Sequence, residues 1–226
     1  MDIFIDNYRL YLQALVTTLS LMGAGLASGF ILAVPIGLLA IEGPRPIRFL
    51  TTIHMTFFRG TPLLVQVFMI YYGLGQIDLV RHSFLWTVFK EPFFCAVLAL
   101  ALNTSAYTAN IIKGAVLSVP KGEVEAGQAF GFSRLKLYSH IIAPSALRLF
   151  LPAYGSEVII ILKATSLAST ITLLDLTGLA KNLMSRTFRP FETFFITALI
   201  YVTLVFILTR IFKIIESQAT PKGEEF

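Results

Sequence analysis

The stretch "EAGQAFGFSRLKLYSHIIAP", Glu125–Pro144, holds charges, hydroxyls and two glycines in the middle of a chain that is otherwise mostly apolar. Just ahead of it, Pro120 and Lys121 close the preceding apolar run. Gly122 and Glu123 suit a helix start, where an acidic residue complements the macrodipole. Val124–Phe130 makes about two turns. Gly131 then breaks the rod, because glycine tolerates φ > 0 at a helix end. Ser133 can cap a second short helix over "RLKLYSHII", and Pro144 is expected to stop it. The pair, over 121–143, forms a protruding knob with a glycine elbow. Ala126, Phe130, Leu137 and Ile141 recur at near-helical spacing. One face can therefore dock into a groove while the charges stay wet. An amphipathic helix lying on a lipid surface has the same pattern.

Around this stretch lie 226 residues, 56% hydrophobic and 14% charged, with a mean hydropathy of +0.77. A soluble domain is about 45–50% apolar and about 25% charged. The excess comes in runs of about twenty residues, the length of helix that crosses a hydrocarbon core of roughly 30 Å. The runs are Leu12–Ile41, Phe57–Leu74, Phe93–Ile112, Ala153–Leu174 and Phe191–Ile214. The first contains Pro35 and exceeds one crossing, so it must tilt, kink there or extend past the bilayer. The chain, 1–226, reads as a single all-α polytopic membrane domain with five transmembrane helices. Its polar tail, 217–226, is expected to fray.

Lysine and arginine cluster at the ends of the runs. Arg45, Arg48, Arg59, Lys113, Lys121, Arg134, Lys136, Arg148, Arg210, Lys213 and Lys222 fall on one side, eleven against six on the other. The richer side is expected to be cytoplasmic, which gives an N-out, C-in topology. This pattern accounts for the net charge of +5 without a nucleic-acid surface. Asp2 and Asp6 stand where a signal peptide wants a basic region, so the first run is expected to stay as a helix. Cys95 is the single cysteine and cannot form an internal disulfide. No GxxxxGK[ST] is present to cradle nucleotide phosphates. His54, His82 and His140 lie far apart, with no HExxH and no GxSxG. The reading is therefore of no catalytic residue and no metal set, with any ATPase on another chain.

Small residues Gly25, Gly29, Ala33 and Gly37 recur every four positions in the first run. They let helices approach closely, either within the chain or in self-association.

The pattern Glu125-Ala126-Gly127, Gly131, Ile141 and Pro144 resembles the EAA loop of ABC importer permeases. Gly127 stands where alanine is usual, and Ala143 where leucine is usual. "FFRGTPLLVQVF" (Phe57–Phe68), "ALNTSAYTANIIKGAVLSVPKGEVEAGQAFG" (Ala101–Gly131) and "LPAYGSEVIIILKATSLAS" (Leu151–Ser169) resemble segments of the polar amino-acid permeases. The nearest likeness is to M-type subunits of histidine and lysine-arginine-ornithine importers. The resemblance implies a type I importer (MetI-like) permease fold in a bacterial cytoplasmic (inner) membrane. It implies that Glu125, Ala126, Gly127, Phe130 and Gly131 contact a nucleotide-binding subunit. Two copies of that ATPase would bind ATP and Mg, leaving no cofactor on this chain. A second, paralogous permease and an extracytoplasmic amino-acid-binding protein would complete the assembly. Arg59, Gly60 and Pro62 would help form the inner gate, although Arg59 also suits a positive-inside anchor.

A charge inside a span is costly and usually faces a cavity or a partner. Glu157 lies about 13 Å along a helix beyond Arg148, near the midplane where transporters hold substrate. It can serve as counter-charge to a cationic solute, or pair internally across helices. Lys163 is six residues on and does not share its face. It suits a structural role or contact with a substrate carboxylate. Thr165 and Ser166 offer hydroxyls, or spend them on their own helix. Asn103, Thr104 and Tyr107 share one helical face, and Thr61 and Gln66 add polar groups; each suits a pocket wall or a helix–helix seam. The acid favours arginine, lysine, ornithine or histidine. An opine is the nearest rival, with Lys181, Arg186 and Arg189 outside to serve its extra carboxylates. A channel or secondary carrier would work without nucleotide and gives no reason for the knob. An intramembrane enzyme would need a second acid beside Glu157.

Overall fold

The computed structural model describes residues 2–219, so all but the first residues of the polar tail lie outside the described residues. No strand occurs among them. Four helices are long and apolar enough to cross a membrane, or five if one sharply bent pair counts as a span.

The first helix, α1 (Asp2–Glu42), resolves the excess length of the first run by extending past it. Its 41 residues measure about 60 Å, twice a hydrocarbon core of about 30 Å. Pro35 sits inside the helix, and the one non-helical residue is instead Asn7, at φ −121°.

The second run corrects the expectation of one helix over 57–74. Helix α2 (Arg45–Gly60) and helix α3 (Leu63–Phe68) meet at a bend of 103°. Pro62 lacks an N–H and pushes its predecessor out of the helical region, and Thr61 is extended at φ −108°, ψ 141°. A wide turn of helix (Met69–Gly73) and a tight one (Leu74–Gln76) continue α3. Two short helices, α4 (Asp78–Arg81) and α5 (Trp86–Phe89), lead to α6.

Helix α6 (Pro92–Leu117) is the most enclosed span, buried along Cys95, Ala99, Asn103, Thr104, Ala106 and Ala109. The small-residue stripe of α1 lies against it. A Cβ on Gly25 would come 2.9 Å from Leu100 Cβ, and one on Gly37 would come 3.0 Å from Ala109 O. The stripe is thus consumed by packing inside the chain. Leu21, Val67, Cys95, Leu100, Ile161 and Ile171 form the central cluster.

The knob comprises α7 (Lys121–Ala129) and α8 (Arg134–Leu137). Pro144 does not stop the chain as expected. A wide turn over Tyr138–Ile142 leads straight into α9 (Ala143–Ala164), so the chain stays helical from Arg134 to Ile171, with Pro144 just past the wide turn. The fourth run, expected over 153–174, therefore starts earlier. It tightens into a 3₁₀ segment, Thr165–Ile171, ended by left-handed Thr172 at φ 70°.

Buried Asp175 caps α10 (Leu176–Thr187), accepting from the amides of Thr177 and Gly178, both at 3.1 Å. The Tyr201 hydroxyl donates to it at 3.5 Å. Burial nevertheless raises the Asp175 carboxyl above the usual carboxylate range, against those hydrogen bonds. The last helix, α11 (Pro190–Ala219), packs on α9 and α10.

Candidate functional site

The bend between α2 and α3 opens a cavity of about 470 Å³ against α6 and α9. Small-ligand sites run to about 300–1,000 Å³. Arg59, Thr61, Pro62, Asn103, Tyr107 and Glu157 line it, together with Gly60. Seven of the residues singled out in the sequence thus meet at one place, the expected gate residues among them. On α9 the lining continues from Glu157 through Ile160 and Ala164 to Leu167 on the 3₁₀ segment. Those positions recur at helical spacing, so this wall was readable from Glu157 outward.

Glu157 is 3% exposed. The Thr104 hydroxyl donates to Glu157 Oε1 at 2.8 Å. Among the described residues Glu157 forms no ion pair. A carboxylate has about four lone-pair sites, and Oε2 has no donor. The only buried, unpartnered side-chain polar atom among the described residues is the Tyr11 hydroxyl, so Oε2 is not sealed away. A carboxyl group is held here with one oxygen left to accept a hydrogen bond.

Gln66 and Asn103 are buried and hold the bend. Gln66 Nε2 donates to Phe58 O at 2.9 Å, Thr61 O at 3.1 Å and Thr61 Oγ1 at 2.7 Å. Asn103 Nδ2 donates to Phe58 O at 3.1 Å and to Gln66 Oε1 at 3.2 Å. The helix break frees backbone carbonyls, and these two carboxamides satisfy them where no water would. The Arg59 guanidinium lies 5.5 Å from the Tyr107 ring centroid, and the Tyr107 hydroxyl donates to Arg59 O at 3.4 Å. Arg59 is exposed and pairs with no carboxylate among the described residues. The cavity therefore carries a guanidinium on its lip and a carboxyl group within its wall.

Five residues weighed as substrate contacts do not line this cavity: Gln66 and Thr104, which bond to the lining residues Thr61 and Glu157, and Lys163, Thr165 and Ser166. Lys163 points from another face of α9 and is exposed. Thr165 Oγ1 and Ser166 Oγ each donate to the carbonyl three residues earlier, both at 2.7 Å. Their hydroxyls satisfy the tightening backbone. The Phe58 carbonyl, which anchors the bend, escaped sequence reading because a backbone group has no residue signature.

In the knob, Gly127 is buried and its missing side chain makes the contact. A Cβ there would lie 2.5 Å from Ile141 Cδ1 and 2.7 Å from Leu137 Cδ2. Glycine at this position, in place of the alanine usual in the EAA loop, lets the ends of Leu137 and Ile141 close directly onto α7. The apolar face expected to dock as a unit is split. Leu137 and Ile141 turn inward onto Gly127, while Ala126, Phe130 and Glu125 face outward, Phe130 at 83% exposure. Gly131, at φ +73°, closes α7 by two reversed hydrogen bonds: its N–H to Gln128 O at 2.9 Å and Phe132 N–H to Gly127 O at 3.0 Å. Ser133 caps α8 as expected. Arg134 pairs with Glu42 at 2.8 Å, and the Tyr138 hydroxyl donates to the same carboxylate, which clasps the knob to the end of α1.

Comparison with known proteins gives the family. A model for "Binding-protein-dependent transport system inner membrane component" matches residues 25–220. The octopine transport system permease protein OccM of Rhizobium meliloti is 44% identical over 217 residues, covering 96% of this chain and 89% of that protein. The histidine/lysine/arginine/ornithine transport system permease protein HisM of Salmonella typhimurium (strain LT2) is 41% identical over 209 residues, covering 92% and 88%. The crystal structure of an amino acid ABC transporter with histidines shares the fold, with a TM-score of 0.85 at 31% identity over 95% of this chain and 96% of that one. Such membership implies an ATPase and a solute-binding protein as partners. The chain belongs to the inner membrane components of binding-protein-dependent ABC transport systems.

Proposed function

We propose that this chain is the permease subunit of an ATP-driven importer of cationic amino acids: arginine, lysine, ornithine and histidine. The observation that carries this is Glu157, a buried carboxylate on a cavity wall with one hydroxyl donor and no cation of its own. It supplies the counter-charge to the solute's side chain near mid-membrane. Asn103, Tyr107 and Thr61 shape the wall around it, and Arg59 at the lip meets the solute carboxylate. Gly60 and Pro62 form the hinge of an inner gate.

The remaining parts follow the same reading. The termini lie N-out and C-in, so the knob faces the cytoplasm. Glu125, Ala126, Gly127, Phe130 and Gly131 dock on one of two ATPase copies, which bind ATP and Mg. A paralogous permease lies beside this chain, and an extracytoplasmic binding protein delivers the solute.

A second reading, import of an opine, is favoured by the unpaired Arg59 on the same cavity and by the likeness to OccM. An opine joins a basic head to extra carboxylates, and a cavity with both signs of charge suits it. The test is uptake of labelled arginine by vesicles carrying the reconstituted complex, its binding protein and ATP, for wild type and Glu157→Gln. Lysine, histidine, glutamine and octopine serve as competitors. Competition by lysine and histidine, with loss of uptake in the variant at equal amounts of assembled complex, supports the first reading. Competition by octopine alone supports the second. Uptake without nucleotide would mark a channel or secondary carrier and sink both.

A further inference from the structure

Glu157 takes its direction from a residue on another helix. Thr104 is buried at 1% exposure, between α1 and α9. Most helical threonines here turn back on their own chain: Thr17, Thr52, Thr193, Thr197, Thr203 and Thr209 each donate to the carbonyl four residues earlier. Thr104 instead donates across to Glu157 Oε1 at 2.8 Å. Something must choose that rotamer, because the threonine hydroxyl in a helix also has its own backbone within reach.

The other substituent on the Thr104 Cβ is the methyl Cγ2, and it occupies the space over Gly29 of α1. A Cβ built on Gly29 would overlap that methyl, far closer than van der Waals contact allows. It would also lie 3.1 Å from Ala101 O, so α1 cannot shift freely to make room. Gly23, six residues earlier on the same helix, has nothing within 4 Å. Space is therefore short along the face of α1 turned to α6, at Gly25, Gly29 and Gly37, and tightest at Gly29, where the Thr104 methyl sits.

We propose that Gly29 is a positioning residue for the solute site. By leaving room for the Thr104 methyl, it fixes the Thr104 rotamer, directs the hydroxyl onto Glu157 Oε1 and so leaves Oε2 for the solute's cation. This rests on the reading of Glu157 as counter-charge. Gly29 touches no solute; its effect passes through Thr104.

The experiment measures KM and Vmax for labelled arginine in the reconstituted complex, for five variants beside wild type. Gly29→Ala is expected to raise KM about five- to tenfold, with a smaller fall in Vmax. Thr104→Val keeps the shape and loses the hydroxyl, and is expected to raise KM by a similar factor. In Gly29→Ala/Thr104→Ser the obstructing methyl is gone and the hydroxyl kept, so KM returns to within about twofold of wild type. Gly23→Ala leaves KM unchanged. Glu157→Gln raises KM at least as much as any of these. Rescue by serine in KM supports the proposal. If Gly29→Ala lowers Vmax or complex yield with KM unchanged, the glycine is a packing residue only and the proposal falls. If Glu157→Gln raises KM while Thr104→Val does not, the positioning fails and the counter-charge reading stands. If Glu157→Gln leaves KM unchanged, both fall.

Discussion

The knob and the cavity both gather polar residues in an apolar chain, yet they hold them differently. In the knob, Glu125 faces outward and so does Phe130, at 83% exposure. In the cavity, Gln66, Asn103, Thr104 and Glu157 are buried, and their hydrogen bonds run between helices. Water satisfies whatever the knob leaves unpaired, so an unpaired group there carries no information. In hydrocarbon every polar group must find a partner. Spare capacity on Glu157, which opens on the cavity, is what the proposed counter-charge role rests on, and spare capacity on Glu125 supports no such role.

The contrast can be broken by mutation. The largest effect is expected from Glu157→Gln. Hydrogen bonds to a charged group are worth about 1.5–3 kcal/mol, so arginine uptake at low concentration should fall roughly tenfold to hundredfold. A fall below twofold would place Glu157 with the structural polar groups. Gln66→Leu comes next. It strips Thr61 O and Thr61 Oγ1 of the Gln66 donor, and it removes one of the two acceptors of Asn103, which keeps Phe58 O. An unsatisfied buried group costs about 1–3 kcal/mol, so the purified complex should melt several degrees lower. Spin labels on either side of the break, at positions 56 and 69, should report a broader distance distribution.

Gly131→Val tests the other region. A left-handed backbone costs a residue with a side chain about 1–2 kcal/mol, and Gly131 sits at φ +73°. Transport-coupled ATP hydrolysis should decline while the KM for arginine stays put. A changed KM would mean that the two regions are not separable. The smallest effect is expected from Asp175→Asn. Burial raises this carboxyl, so the folded chain holds its proton to higher pH than the unfolded chain, whose value is about 3.9. Stability from this group is present below that value and is lost as pH rises through the raised one. Melting curves in detergent between pH 4 and pH 7 should slope downward for wild type and less for the variant. Equal slopes would remove Asp175 from the account.

Much of this was legible in the residues. The long spans showed because an apolar run of crossing length has few other uses. Pro62 lies inside the second run, but hydrophobicity continues across it, so composition joined two helices that geometry sets 103° apart. The start of α9 was misplaced for a related reason: Pro144 reads as a stop, but the chain stays helical through it, just past the wide turn. In the cavity, the shared face of Asn103, Thr104 and Tyr107 and the separation of Glu157 from Lys163 followed from helical periodicity. The bond between Thr104 and Glu157 joins residues 53 apart, and no spacing announces it. The glycine stripe was legible as spacing; its partner helix was not.

The clasp at Glu42 has a mechanical side. Beyond Asn7, α1 runs unbroken to Glu42, about 52 Å of stiff strut. Its end is gripped by Arg134 and Tyr138, both of the knob. Gly29 lies thirteen residues back from that grip, or about 20 Å. A displacement of the knob would therefore load the same helix that carries the glycine beside Thr104, with Pro35 between them as the point where that helix can bend.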